Sequence, residues 1–140
     1  MIFLDTDILL DVAWQRDPFY IAAADLLTMI HEGSVRGGTT PVVLTNLYYL
    51  LSKENSDELA SGYISRLLEM LEFIPVHQAD FTLAMTSKFK DKEDAINSYA
   101  AHSAGCQTII TRNVRDFNHA GIAVMTAEEF IAHHHMHRGV

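Results

Sequence analysis

MIFLDTDILLD, residues 1–11, is the stretch on which the fold turns. Ile2, Phe3 and Leu4 make a short apolar strand with the look of a buried one. It runs straight into Asp5, Thr6 and Asp7, and Asp11 follows one helical turn further on. Thr6 or Asp7 is placed to cap a helix that carries Ile8, Leu9, Val12 and Ala13 on one side. A buried strand that ends in mutually repelling carboxylates needs an explanation, and the rest of the chain supplies its setting.

Working outward, strands and helices alternate. Pro18 opens a helix over FYIAAADLLTMIHEG (19–33), which stops at Gly33. SVRGGTT (34–40) reads as a second strand with a Gly-Gly break, and PVVLTNLYYLLSKE (41–54) has a helical period. Ser56 caps DELASGYISRLLEML (57–71), and FIPV (73–76) is a third strand cut short by proline. QADFTLAMTSKF (78–89) and DKEDAINSYAAHSAG (91–105) are two more helices, the second closing on Gly105. QTIIT (107–111) and IAVM (122–125) are strands four and five, and Thr126 caps a last helix, TAEEFIAHHHMH. Strands separated by helices predict one α/β domain over residues 1–140, with a mostly parallel five-stranded sheet and helices on both faces. Residues 133–140 form a His-rich end expected to fray.

Composition narrows the function. Hydrophobic residues at 49% and charged residues at 20% suit an ordinary folded globule with a real core. A net charge of −8 excludes a protein that coats nucleic acid by bulk charge, so an RNA or DNA role needs a local basic patch or bound cations. The lone cysteine, Cys106, rules out an internal disulfide and reads as an inert core thiol. No cationic leader precedes the first apolar run and no apolar stretch is long enough to span a bilayer, so a cytoplasmic protein without a membrane role is expected.

In a parallel α/β sheet, functional residues gather outside the carboxyl ends of the strands. Asp5 stands at the end of strand one and Thr111 at the end of strand four. Four positions carry the chemistry: Asp5 with Asp7, Asn46, Glu93 with Asp94, and Asn113 with Asp116. Each has a plain structural reading. Asp7 serves as an N-cap, Asp11 as part of a solvated helix face, and Glu93 and Asp94 as acids favoured by the helix dipole. Their joint placement is what points to function. Crowded carboxylates in a low-dielectric crevice are relieved by a hard cation such as Mg²⁺, which could generate hydroxide for attack on a phosphodiester.

The strings FLDTDILLD (3–11), DKEDAINSYAAHSAGCQTIITRNVRDF (91–117) and GIAVMTAEEFI (121–131) resemble the PIN domain family, which includes the toxin ribonucleases of bacterial toxin–antitoxin pairs. That resemblance implies a parallel α/β fold, bound Mg²⁺ or Mn²⁺, RNA as substrate and an antitoxin partner. By position, Asp5 matches the first acid and Asp94 the acid that opens the later helix. Asn113 and Asp116 occupy the segment that supplies the fourth ligand, with the choice between them open. Thr111 matches a hydroxyl residue that supports a metal ligand or a metal-bound water. Asn46 departs from the family, which usually has a glutamate there. Asp7, where many relatives carry asparagine, would return the missing charge.

Basic residues border these segments. Lys88, Lys90 and Lys92 precede the Glu93–Asp94 pair, and Arg112 and Arg115 flank Asn113, giving phosphates a positive rim. Arg112, Arg115 and Lys92 are the candidate RNA contacts. Arg16 reads as a surface ion pair with Asp17. Tyr48, Tyr49, Tyr63 and Phe89 are candidates for base stacking, though Tyr48 and Tyr49 among leucines read as core, homodimer or antitoxin contacts. His133 and His137, one turn apart, suit adventitious Zn²⁺ or Ni²⁺ more than a physiological site. Two rival functions share the residues: a catalytically weakened RNA- or protein-binding module, because of Asn46, and a haloacid-dehalogenase-like phosphatase, from the Asp5-Thr6-Asp7 pattern. The second lacks the later lysine and aspartate pair that such chemistry needs.

Overall fold

The computed structural model describes residues 1–138. Its five strands are β1 (Ile2–Leu4), β2 (Gly37–Thr39), β3 (Glu72–Phe73), β4 (Thr108–Ile110) and β5 (Ala123–Met125). They form one sheet in the order β3-β2-β1-β4-β5, with every neighbouring pair parallel. Phe3 lies in register with Gly38 on one side and Ile109 on the other. Successive residues of a strand face opposite sides of a sheet, yet Ile2, Phe3 and Leu4 are all at most 4% exposed. Helices therefore cover both faces over β1, as its unbroken apolar run requires.

The described residues form seven α-helices: α1 (Thr6–Ala13), α2 (Tyr20–His31), α3 (Pro41–Glu54), α4 (Asp57–Met70), α5 (Gln78–Met85), α6 (Lys92–Ser103) and α7 (Ala127–Arg138). α3 packs on α4, α5 on α6, and α2 on both α1 and α7. Leu9, Leu26, Leu47, Leu67, Ile109 and Ile110 are among the fully buried side chains of a single core cluster. Cys106 belongs to it, and its burial raises the thiol pKa, so the expected inert thiol is what is found.

Local differences from the sequence expectation have physical causes. The α1 cap is neither Thr6 nor Asp7 but Asp5, whose Oδ1 accepts a hydrogen bond of 2.9 Å from the Thr6 amide. The residue that ends the strand also starts the helix, with no linker between. Gly37 and Gly38 do not break β2; they are two of its three residues. A Cβ on Gly37 would collide with Ile30 of α2, and one on Gly38 would lie 2.9 Å from the Glu72 carbonyl oxygen of β3. Bare backbone is what lets this strand fit. Pro18 does not open α2, which starts at Tyr20 after the Phe19 and Tyr20 amides both donate to the Arg16 carbonyl. β3 stops at Phe73, ahead of the donorless Pro75. Ser56 and Thr126 cap α4 and α7 as expected; the Glu129 amide donates to the Thr126 hydroxyl, and the Glu129 side chain accepts from the Thr126 amide in return. The histidine stretch expected to fray is helical through Arg138; residues 139 and 140 lie outside the described residues.

Chain order fixes where a ligand can enter. From β1 the chain builds outward through β2 and β3, then returns to β4 and β5 on the other side. The carboxyl ends of β1 and β4 thus diverge at a topological switch point, the place where open α/β sheets form a crevice.

Candidate active site

That crevice holds a cavity of about 470 Å³, lined by Asp5, Asp7, Asn46, Glu93, Asp94, Asn97, Arg112 and Asn113, among others. Its floor is Asp5, only 8% exposed. The carboxylate is held by the Thr6 amide on Oδ1 and by the Thr111 hydroxyl, which donates to Oδ2 at 2.8 Å. Thr111 is wholly buried and in turn accepts from the Asn113 amide at 3.1 Å. The hydroxyl at the end of β4 thereby fixes the acid at the end of β1.

Asp7, in the first turn of α1, also lines the cavity. Its Oδ2 accepts from the Arg112 amide at 3.2 Å and from Asn113 Nδ2 at 3.0 Å, tying α1 to the segment after β4. Its Oδ1 is buried with no hydrogen-bond partner. Opposite, Asp94 projects from the first turn of α6. That helix is capped by Asp91, whose Oδ1 accepts from the Glu93 and Asp94 amides at 2.8 and 3.1 Å. On the α3 side, Asn46 Nδ2 donates to Glu93 Oε1 at 3.0 Å.

The electrostatics follow from burial and from the crowding of like charges, which outweigh the opposing charge of Arg112 on Asp7. Burial pushes the Asp5 carboxyl above its usual range, against the lowering effect of its two hydrogen bonds, and the charges of Asp91 and Asp116 push the same way. Burial, then the charge of Asp5, raises Asp7 to about 7. Asp94 is likewise raised to about 7, by burial first and then by Asp5, Asp91, Asp116 and Glu93. Such a group resists losing its proton unless a cation arrives.

The sequence-predicted residues divide accordingly. Asp5, Asp7, Asn46, Asp94, Arg112 and Asn113 share the cavity. Asp116 lies on the short 3₁₀ turn Val114–Phe117 and lines an adjoining cavity with Lys88, Lys90, Asp91 and Arg115, close enough for its charge to act on Asp5 and Asp94. Lys92 is turned to its own loop, donating to the Ser87 and Phe89 carbonyls. Tyr63 and Phe89 are buried: the Tyr63 hydroxyl donates to the Leu9 carbonyl at 2.8 Å, and Phe89 packs edge-on against Phe117 and Tyr99. Neither can stack a base. Tyr49 is exposed at the cavity rim and Tyr48 is exposed nearby on α3. Arg16 does not pair with Asp17; its Nε lies 2.9 Å from Asp11 Oδ1. Asp11, read as part of a solvated face, is 0% exposed. Sequence reasoning also missed Asp91, although an acid three residues ahead of another at a helix start is a capping signal. The Glu93–Asn46 bond had no such signal.

Whether these residues suit a divalent cation can be judged from their chemistry. Among the described residues, no three Asp, Glu, His or Cys side chains are drawn together tightly enough to hold an ion as they stand. The donors are nonetheless hard oxygens short of positive charge, and one buried oxygen, Asp7 Oδ1, has no donor. They fit an ion that takes few carboxylates and keeps several waters, as Mg²⁺ does.

Comparison with known proteins gives this arrangement a family. The sequence profile of the PIN domain matches residues 1–115. Sequence comparison with curated proteins finds no match. Among solved structures, VapC20 of Mycobacterium tuberculosis, described as a sarcin-ricin loop cleaving toxin, superposes with a TM-score of 0.67 at 19% identity, covering 88% of this chain and 97% of that one. A toxin–antitoxin complex from Klebsiella pneumoniae gives 0.67 at 22% identity over 91% and 98% of the two chains. FitAcB from Neisseria gonorrhoeae gives 0.68 at 16% identity over 91% and 99%. At these identities the neighbours attest the fold, and the profile match over most of the chain attests the kinship. With its parallel five-stranded sheet and an acidic crevice at the switch point between β1 and β4, this chain belongs to the PIN domain family.

Proposed function

We propose that this protein is a divalent-metal-dependent endoribonuclease, the toxin of a toxin–antitoxin pair. The observation that carries the reading is the meeting of Asp5 and Asp94, far apart in sequence, in one open cavity where the charge of one acts on the other. Mg²⁺ or Mn²⁺ bound there would polarise a phosphodiester and supply hydroxide at neutral pH. Asp5 and Asp94 would hold it, with Asp116 or Asn113 as a further ligand. Asp116 offers the stronger, charged donor, whereas the Asn113 amide nitrogen is spent on Asp7, leaving only its oxygen. Thr111 keeps Asp5 in one rotamer, and Asp7 keeps the segment after β4 against α1.

Asn46 supplies no charge, but it holds Glu93 at the edge of the same cavity, so a carboxylate stands beside the position where the family usually has its glutamate. This argues for a working site over a weakened binding module. Arg112 lies on the cavity wall, suited to phosphate, and exposed Tyr48 and Tyr49 suit an antitoxin segment or a second copy of the chain. No described helix is long and apolar enough to cross a membrane. The test is RNA cleavage by the pure protein with Mn²⁺ and with chelator, beside an Asp5→Asn control. Cleavage is expected only in the wild type with metal; equal activity in the control would trace the cutting to a contaminant.

A further inference from the structure

Beside the acids, the same cavity carries an arrangement of the opposite sign. Asp11, with no solvent exposure, offers one carboxylate oxygen to each of two arginines. Arg16 Nε lies 2.9 Å from Oδ1, and Arg112 Nε lies 2.9 Å from Oδ2, the second an ion pair whose angle falls outside hydrogen-bond geometry. Each guanidinium is also backed by an aromatic ring. The Arg112 guanidinium carbon stands 4.1 Å from the centre of Phe19, and that of Arg16 stands 5.2 Å from the centre of Trp14. Both arginines line the cavity and keep about a third of their side chains in solvent, at 35% and 27% for Arg16 and Arg112.

Two facts distinguish this from a mere staple. One carboxylate neutralises one arginine, so the second guanidinium brings an excess positive charge to the cavity wall. And the arginines are not committed to the neighbouring acids: among the described residues no side-chain hydrogen bond joins either guanidinium to Asp5, Asp7 or Asp94. The Arg112 bond to Asp7 comes from its backbone amide, and Arg16 Nη2 reaches only the Asp7 carbonyl, at 3.5 Å. With Nε engaged and one face stacked, each fork is held in place while terminal donors stay available. A pre-oriented pair of guanidiniums is matched to a phosphate, and little rotamer entropy remains to be lost on binding.

We propose that Arg16 and Arg112 form a two-pronged clamp on a backbone phosphate of the RNA strand, next to the acidic end of the cavity, with Asp11 as the positioning residue that sets their spacing. The clamp rests on the ribonuclease reading and deepens it, by naming what holds the strand rather than what cuts it.

The experiment is equilibrium binding of a short fluorescein-labelled, mixed-sequence single-stranded RNA, with Ca²⁺ as the divalent ion, across a salt series. Arg16→Gln and Arg112→Gln should each weaken binding about tenfold and reduce the slope of log affinity against log salt by about 0.7. Arg16→Lys keeps the charge and should keep the slope, while losing affinity because an ammonium cannot fork. Unchanged affinity and slope in folded glutamine variants, with the wild type still binding, would overturn the clamp and leave the ribonuclease reading intact. A wild type that neither binds nor cuts RNA overturns both. Should either glutamine variant fail to fold, Arg16→Lys decides: wild-type affinity in that variant refutes a forked contact.

Discussion

Helix α1 has a buried carboxylate at its start and another near its end, and the two are met in opposite ways. Asp11 receives two guanidiniums, one by a hydrogen bond and one as an ion pair, and is fully enclosed. Asp5 receives a hydroxyl and an amide, then faces Asp7 and Asp94, whose carboxyls are pushed up to about 7. One end of the helix is neutralised by the protein, and the other is left for something else to neutralise. Buried charge is therefore not one feature here but two: Asp11 organises structure, and the Asp5 end stores a demand for a cation.

Substitutions at the two ends should differ in kind. The largest effect belongs to the cation end: Asp5→Asn or Asp94→Asn should lower metal-dependent RNA cleavage about a thousandfold, the scale of losing a Lewis acid worth several kcal/mol. Calorimetric titration with Mn²⁺ should show binding weakened in parallel. Cleavage retained in either variant would remove that end from the chemistry.

At the other end, Asp11→Ala leaves two arginines without their shared partner. We expect a stability loss of about 2 kcal/mol, less than for wholly buried pairs because both arginines remain partly in water. Urea denaturation measures it. A variant as stable as the wild type would mean that Asp11 anchors nothing.

Next in size is an effect on the bound ion alone. Thr111→Val removes the hydroxyl that fixes Asp5 and should weaken Mn²⁺ binding about tenfold, with the fold retained. Equal affinity would show that Asp5 is held well enough by its cap.

The smallest effect is the most diagnostic, because its sign reverses between the two ends. Asp94 has its pKa raised on folding, so its own contribution to the stability of the metal-free wild type is full below about pH 4 and is lost as pH rises through about 7. Metal-free Asp94→Asn should therefore melt a few degrees higher than wild type at pH 8 and no higher at pH 4, with saturating Mn²⁺ removing the advantage. A thermal melt at both pH values checks this. Destabilisation at pH 8 would mean that Asp94 is already paired, and the contrast with Asp11 would collapse.

Much of the molecule was legible in advance because it depends on local rules. The apolar run of β1, the caps at Ser56 and Thr126 and the Gly105 stop depend on neighbours in the chain. So does the placement of Asp5 and Thr111 at strand ends. The misreadings share a different cause. Arg16 has Asp17 beside it in sequence but takes Asp11, because the chain turns back on itself between α1 and α2. Tyr63 on its helix and Phe89 between two lysines show nothing of their burial until their spatial neighbours are known.

From the sequence alone came the alternation of elements, the parallel sheet that buries β1, and the acidic residue types that a hard cation favours. Only the tertiary structure decided which carboxylates acquire countercharge. Hydrophobic period and capping are set within a few residues, whereas the fate of a buried charge depends on which groups, tens of residues away, arrive within a few ångströms of it.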